Sequence, residues 1–259
     1  MPGTRQSRRS LWTDTGLNSM SKLKVSGFIE LSTLDYPGHV SSLIYLTGCN
    51  FRCPFCQNPE IVLEKSYAWM TVNDILNKLS SALDFIDAIV ITGGEPLLQD
   101  ITAIKQLIKA FKDRNLKILI ETNGSFPDKL EQVLPLIDEA AIDLKGPKHK
   151  YPTITGIKRN FYDHVLQSIQ KCRKHGVPVE ARITIVPGLN DSEEDILAIK
   201  EDINLADKIS IQQFRNIKTL DPTYMEKPIP TKDQLIKIAK LLKKNKPITI
   251  KTMEEIIKL

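Results

Sequence analysis

Short apolar strands alternate with helix-like segments along most of the 259-residue chain, and this alternation constrains the fold most strongly. Helical spacing recurs over residues 71–83, 100–111, 127–136, 161–174, 192–203 and 231–243. Strands that alternate with helices form a parallel sheet. A closed eight-unit barrel takes about 250 residues, so six units predict an α/β fold with a partial, laterally open (β/α)6 barrel. A final strand over residues 247–251 can add an edge. The six strands are centred on Leu43, Ile89, Ile118, Ile142, Ile183 and Ile209.

Polar or glycine-containing segments follow most of the predicted strands. They span residues 47–59, 93–96, 122–124, 143–145 and 187–188. Parallel α/β folds bind ligands at the carboxyl ends of their strands, where all of these segments meet. The sequence therefore predicts one functional rim. An open barrel also leaves a lateral gap that can admit a segment of another protein.

Three cysteines, Cys49, Cys53 and Cys56, lie in one short loop directly after the first of the six strands. Soft sulfur ligands select iron–sulfur clusters, zinc or copper. The fourth cysteine, Cys172, falls near the end of a predicted helix, and no fourth ligand lies nearby. Structural zinc sites close their tetrahedron with a fourth Cys or His. Three thiolates therefore indicate a centre left open for a small molecule.

The Cys-x3-Cys-x2-Cys spacing, with Phe55 before its last cysteine, resembles the radical S-adenosylmethionine (SAM) superfamily, as does a Gly-Gly-Glu-Pro turn after an apolar strand. The resemblance implies that Cys49, Cys53 and Cys56 bind three irons of one 4Fe-4S cluster. The amino and carboxylate groups of SAM then chelate the fourth iron. Zinc binding explains the cysteines alone but leaves the Gly-Gly-Glu-Pro turn without a purpose.

Within that superfamily the chain resembles the glycyl-radical enzyme activating enzymes. The Asp-Tyr-Pro-Gly pattern at residues 35–38 and the lack of a cysteine-rich insertion are typical of activators of anaerobic ribonucleoside-triphosphate reductase. The resemblance implies reductive cleavage of SAM to a 5′-deoxyadenosyl radical, which removes a glycine Cα hydrogen from the partner enzyme. It also implies flavodoxin or ferredoxin as the electron donor.

Several rim residues are predicted to bind the cofactors. Gly93 and Gly94 allow close approach of the backbone, and Glu95 suits the SAM ammonium group as an acceptor. The resemblance places Phe55 near the adenine and Lys145 near the SAM carboxylate. From its residue type alone, the Lys145 side chain can also simply face solvent. The further candidates are Cys56, Gln57, Asn123, Asp143, Arg182 and Arg215.

Two of these candidates carry conditions. Arg182 needs an anionic partner if its strand register turns it inward. Pyruvate formate-lyase activating enzymes carry an adenine-proximal histidine after the sixth strand, and residues 211–215 hold none. Gln213 or Arg215 would have to replace it.

Composition limits the partners and the compartment. A formal charge of +5 with only 6% aromatic residues gives no concentrated basic stripe with aromatics, so we expect no nucleic-acid partner. No apolar run reaches the length of a membrane span. Three clustered cysteines favour reduced thiols in the cytoplasm. We interpret residues 1–22 as a disordered arm or a mis-assigned start, and residues 23–259 as the core domain with a C-terminal helix and strand.

Two other functions share part of this evidence. A radical SAM enzyme that acts on a small-molecule precursor would use the same specific motifs. A non-catalytic iron–sulfur carrier or zinc adaptor explains the cysteines but not the repeated loops at the strand ends.

Overall fold

The computed structural model describes residues 21–259, and the strands in this range join into one ten-stranded sheet. The interpretation of residues 1–22 falls, apart from Ser21 and Lys22, outside the described residues. The strands are β1 (Leu23–Ser32), β2 (Ser41–Leu46), β3 (Ala68–Met70), β4 (Ala88–Gly93), β5 (Lys117–Thr122), β6 (Glu139–Asp143), β7 (Val179–Ile185), β8 (Lys208–Gln213), β9 (Ile248–Lys251) and β10 (Ile256–Lys258).

The strand order is β3-β1-β2-β4-β5-β6-β7-β8-β9-β10. Neighbours from β2 to β9 pair in parallel, which confirms the six predicted strands and the additional edge strand. Strands β1, β3 and β10 are antiparallel additions to the predicted strands. Because β3 and β10 end the order without pairing to each other, the partial barrel is open.

Helices cover one face of the parallel strands. Thr71 caps α2 (Val72–Lys78) in a reciprocal capping box with Asp74, but this helix ends earlier than the helical spacing over residues 71–83 suggests. The predicted helix over residues 192–203 is divided in two at Ile199. The helices are α1 (Pro59–Val62), α2 (Val72–Lys78), α3 (Ile101–Lys112), α4 (Pro127–Glu131), α5 (Tyr151–Thr155), α6 (Tyr162–Lys174), α7 (Glu193–Ala198), α8 (Lys200–Ile203) and α9 (Lys232–Leu242).

Period-two alternation gives the sheet two different faces. Residues such as Ile89 and Ile91 pack in the main core with the helices. The alternate residues, including Val90 and Leu119, form a smaller apolar cluster on the opposite face, which we call the inner face. Tyr36 belongs to this smaller cluster and is 4% exposed. The Asp-Tyr-Pro-Gly segment therefore leads into β2 and also packs its tyrosine against the inner face.

Within residues 21–259, every helix is too short or too polar to cross a bilayer.

Candidate active site

A cavity of about 370 Å³ opens where the parallel strands end. Eleven of the residues predicted from the sequence line it, so four of the five strand-end segments meet at one rim, and residues 187–188 do not line the cavity. These are Cys49, Cys53, Phe55, Cys56, Gln57, Gly93, Gly94, Asn123, Asp143, Lys145 and Arg215. Seven further lining residues are Phe51, Asn58, Val62, Thr184, Gln212, Gln213 and Lys251.

Backbone hydrogen bonds to neighbouring elements hold the cysteine loop, residues 47–58, in place. The Gly48 amide donates to the carbonyl oxygen of Ile61 in α1, at 3.0 Å, and the Arg52 amide donates to that of Thr155 in α5, at 2.8 Å. A tight turn closes between the last two cysteines, where the Cys56 amide donates to the carbonyl oxygen of Cys53. The loop thus presents its three thiols from a fixed backbone.

Burial controls the ionisation of these thiols. It raises the pKa of Cys49 to about 11 and that of Cys53 to about 12, against a smaller opposing effect of the Lys145 ammonium. A buried thiolate therefore needs additional positive charge, which a metal centre supplies when it binds. This donor set fits an iron–sulfur cluster.

Gly93 and Gly94 are required by close packing of the β4 end on the end of β2 and on the cysteine loop. A Cβ atom at Gly94 would lie 2.0 Å from the carbonyl oxygen of Gly48, and one at Gly93 would lie 2.1 Å from that of Leu46. Gly93 also has a φ of 124°, in the region that favours glycine. The approach that these glycines permit is therefore backbone to backbone, and it leaves both residues on the cavity wall.

Glu95, which is expected to face the SAM ammonium, lies behind the cavity wall and not among the residues that line it. Its side chain is fully buried and accepts hydrogen bonds from the Leu97 amide, the Thr122 hydroxyl and the Asn123 amide, at 3.0, 2.8 and 2.7 Å. Burial raises the pKa of Glu95 to about 7, although these three bonds oppose the shift. The carboxylate thus ties the β5 turn to the β4 turn from behind the cavity wall.

Asn123 connects the buried Glu95 carboxylate to the cavity. Its side-chain amide nitrogen lies 3.7 Å from Cys49 Sγ and donates to the Asn50 side-chain oxygen at 2.9 Å. Its side-chain oxygen accepts from the Ser125 amide at 2.9 Å. A chain of contacts therefore runs from Glu95 through Asn123 to the first cysteine.

Lys145 and Asp143 form an ion pair in the cavity wall, with Nζ 2.8 Å from the carboxylate. Burial disfavours the charge on Lys145, but Asp143 and Cys53 outweigh it and raise its pKa above the usual value. The lysine therefore stays protonated beside the thiols, where it can balance negative charge. This excludes the alternative that Lys145 simply faces solvent.

Arg182, which is expected to contact a cofactor, faces the inner side of the sheet and lies outside the cavity. Its guanidinium donates to the Glu180 carboxylate at 2.6 Å and also to Glu121. Glu121 in turn accepts from the Thr92 hydroxyl at 2.7 Å. Protein carboxylates thus supply the anionic partner that a buried arginine requires.

Gln213 and Arg215, the two residues proposed to replace the family histidine, differ in whether their side chains are already hydrogen-bonded within the chain. The Gln213 amide is occupied, since it donates to the Pro230 carbonyl and accepts from the Met253 amide. Arg215 lines the cavity, and its carbonyl oxygen accepts from the Gln57 side chain at 2.8 Å. Of the two, Arg215 has the side chain available for a ligand.

Lys251 is a cavity residue that sequence reasoning missed. Burial lowers its pKa, with a further contribution from Arg182, and it forms no salt bridge among the residues that the structure describes. The signal was present in the sequence, because alternation in β9 puts Lys251 on the face opposite Ile248 and Ile250.

An open parallel sheet with three cysteines at this spacing on its rim defines the radical SAM class. In agreement, the family model described as the radical SAM superfamily matches residues 43–199, and the chain belongs to that superfamily. Its members use a 4Fe-4S cluster and SAM, which confirms both expected cofactors.

Two relatives narrow the class. A Methanocaldococcus jannaschii protein with the provisional name glycyl-radical enzyme activating enzyme is 37% identical over 86% of this chain and 93% of its own. A pyruvate formate-lyase-activating enzyme of Staphylococcus epidermidis is 26% identical over 81% and 90%. The first match places the chain among the glycyl-radical enzyme activating enzymes, which are catalysts of radical-generating redox chemistry.

The fold also matches a solved structure. A radical SAM methyltransferase from Sphaerobacter thermophilus superposes with a TM-score of 0.67 over 84% of this chain and 67% of that one, at 15% identity. This likeness concerns the fold alone.

Proposed function

We propose that the chain activates a glycyl-radical enzyme, and that this partner is anaerobic ribonucleoside-triphosphate reductase. The observation that carries the proposal is the meeting of the three thiols with Asn123 and Lys145 in one cavity, at the carboxyl ends of the parallel strands of an open sheet. When bound there, the cluster and SAM supply a radical that removes hydrogen from a glycine Cα of the partner. Flavodoxin or ferredoxin provides the electron, in the cytoplasm.

The chain's own residues bind and orient these groups. Cys49, Cys53 and Cys56 would hold the cluster from their fixed loop. Lys145, protonated beside Asp143, is suited to pair with the SAM carboxylate.

The apolar part of the wall has a different task. Phe51 and Phe55 are both buried and line the cavity beside the cysteines. They exclude water from a site where a carbon radical must persist until it meets its substrate.

The open barrel supplies the route for a protein substrate. The cavity wall includes residues of β8 and β9, such as Gln212 and Lys251, so the cavity extends toward the β10 edge of the sheet. A glycine-bearing loop of the partner can enter at this side and bring its Cα into the cavity. A closed barrel would admit a small molecule only.

The test is activation of the reductase from the same genome after anaerobic reconstitution with iron and sulfide. Electron paramagnetic resonance should show a glycine-centred doublet on the reductase, together with 5′-deoxyadenosine in solution. A reductase with its radical-bearing glycine replaced by alanine is the matched control and should give no doublet. Cleavage of SAM without a partner radical would favour a small-molecule substrate instead.

A further inference from the structure

Exposed cations lie on the outer side of the cysteine loop, away from the cavity. Arg52 is exposed between two buried residues of that loop, Phe51 and Cys53. Its guanidinium donates hydrogen bonds to the carbonyl oxygens of Cys49 and Phe51, at 2.6 and 2.7 Å. A positive charge at the surface is therefore in direct contact with the backbone that carries the cysteines.

Two more cations come from the segment between α5 and α6, which packs on the same loop. A Cβ atom at Gly156 would lie 2.1 Å from the carbonyl oxygen of Arg52, so the two backbones touch. Lys158 and Arg159 follow that glycine and are exposed. We call Arg52, Lys158 and Arg159 the basic patch.

Both parts of the sequence that build the basic patch are free of acids. Residues 147–160 contain four Lys or Arg and no Asp or Glu, and residues 49–59 contain one Arg and no acid. The other two cations of residues 147–160 are neutralised by ion pairs with Asp163 and Asp195. The patch itself has no such compensation.

The three cations of the basic patch form no salt bridge within the described part of the chain. Arg159 instead lies over the Phe161 ring, 4.6 Å from its centroid, and contacts the His164 ring nitrogen at 3.3 Å. Phe161 packs on Phe51 of the cysteine loop, with ring centroids 5.6 Å apart. The patch is thus held firmly against the loop while its charges stay available.

We propose that the basic patch is the docking surface for an acidic one-electron carrier protein. This rests on the proposed function, in which each SAM cleavage consumes one electron. The carrier's reduced prosthetic group loses that electron and the cluster gains it, with no bond made or broken between the two proteins. Uncompensated cations attract an acidic surface and speed its association, and these lie next to the backbone that bears the cysteines.

Direct binding tests the proposal without any need for catalysis. Flavodoxin, as the acidic probe, is immobilised and titrated with the full chain, at low and at high salt. The variant Lys158→Glu/Arg159→Glu should bind at least about tenfold more weakly than the parent at low salt. The difference should shrink as salt rises, since screening weakens exposed charges.

The control variant is Lys240→Glu/Lys243→Glu, which makes the same charge change on exposed residues at the end of α9. It should bind flavodoxin like the parent. Equal weakening in both variants would reduce the effect to net charge, and an unchanged affinity in the patch variant would also overturn the proposal.

Reduction of the loaded protein separates this inference from the function on which it rests. With excess dithionite, the patch variant and the parent should cleave SAM to the same endpoint, whereas flavodoxin hydroquinone should reduce the variant's cluster at least about tenfold more slowly. Absence of cleavage in the parent with dithionite would contradict the proposed function. Slower glycyl-radical formation with dithionite, but normal reduction by flavodoxin, would assign the patch to the radical-accepting enzyme and overturn the inference.

Discussion

Three donors converge on the buried Glu95 carboxylate, from Leu97, Thr122 and Asn123. In Glu95→Gln, the amide nitrogen must face at least one of them. We expect the apo protein to lose about 1–3 kcal/mol of unfolding free energy, measured by urea denaturation above pH 8, where the parent carboxylate is ionised. Glu226→Gln, on an exposed side chain, should change nothing. Unchanged stability together with weakened SAM binding would restore Glu95 as a direct ligand.

The cysteines offer a matched pair for substitution. Cys53 lines the cavity, whereas Cys172 lies on the buried face of α6, within the main core. Cys53→Ala should abolish iron retention after reconstitution and SAM cleavage with it. Cys172→Ala should keep both and lose stability alone, by up to a few kcal/mol through a small cavity. Iron analysis with the visible absorbance of the cluster decides, and a Cys53→Ala protein that still cleaved SAM would refute the ligand assignment.

The cavity positions that were predicted correctly share one property: the pattern that identifies them is contained in a short stretch of sequence. The cysteine spacing and the Gly93-Gly94 pair can be read within a few neighbouring residues. The buried role of Glu95 and the cavity position of Lys251 depend on partners far along the chain, such as Asn123 for Glu95. Spacing alone carries no information about such partners.

At the scale of elements, Arg182 on β7 joins Glu180 of its own strand to Glu121 of β5. Arg182→Met removes the guanidinium that both inner-face carboxylates contact, so we expect a loss of about 3–5 kcal/mol in unfolding free energy. Adding Glu121→Gln and Glu180→Gln should recover part of that loss. Chemical denaturation measures all three proteins.

The matched control for that ion-pair network is Lys244→Met, which breaks an exposed pair with Glu201. Exposed pairs contribute about 0–1 kcal/mol, so this variant should unfold almost like the parent. If Arg182→Met behaved in the same way, the network would have no structural role, and a cofactor contact for Arg182 would be favoured again.

The strands and helices that the sequence predicts are those with enough residues to show a period. Strands β3 and β10 have three residues each, too few for alternation to be recognised. The division between α7 and α8 is hidden for another reason. Ile196, Ile199 and Ile203 keep helical spacing across it and are all buried. The apolar pattern therefore continues across a point where the backbone helix is interrupted.

At the scale of the whole molecule, the cavity collects residues from loops and strand ends between β2 and β9. A ligand that needs this cavity binds the folded chain and not the unfolded one, so its binding stabilises the folded state. We expect reconstitution of the cluster, followed by SAM, to raise Tm in two steps. For a chain of this size each 1 kcal/mol corresponds to about 2–4 °C. Iron chelation after SAM removal should reverse both steps.

Hydrogen exchange locates that stabilisation within the fold. The cysteine loop is anchored by single backbone bonds to α1 and α5, so its amides should exchange far more slowly once the cluster is bound. Helix α9 covers β8 and β9 away from the three thiols and serves as the internal reference, with little change in its locally opening amides. Equal protection of both regions would mean that the cluster stabilises the chain only globally. Protection concentrated in residues 49–58 would show that the cluster orders the loop on which the basic patch rests.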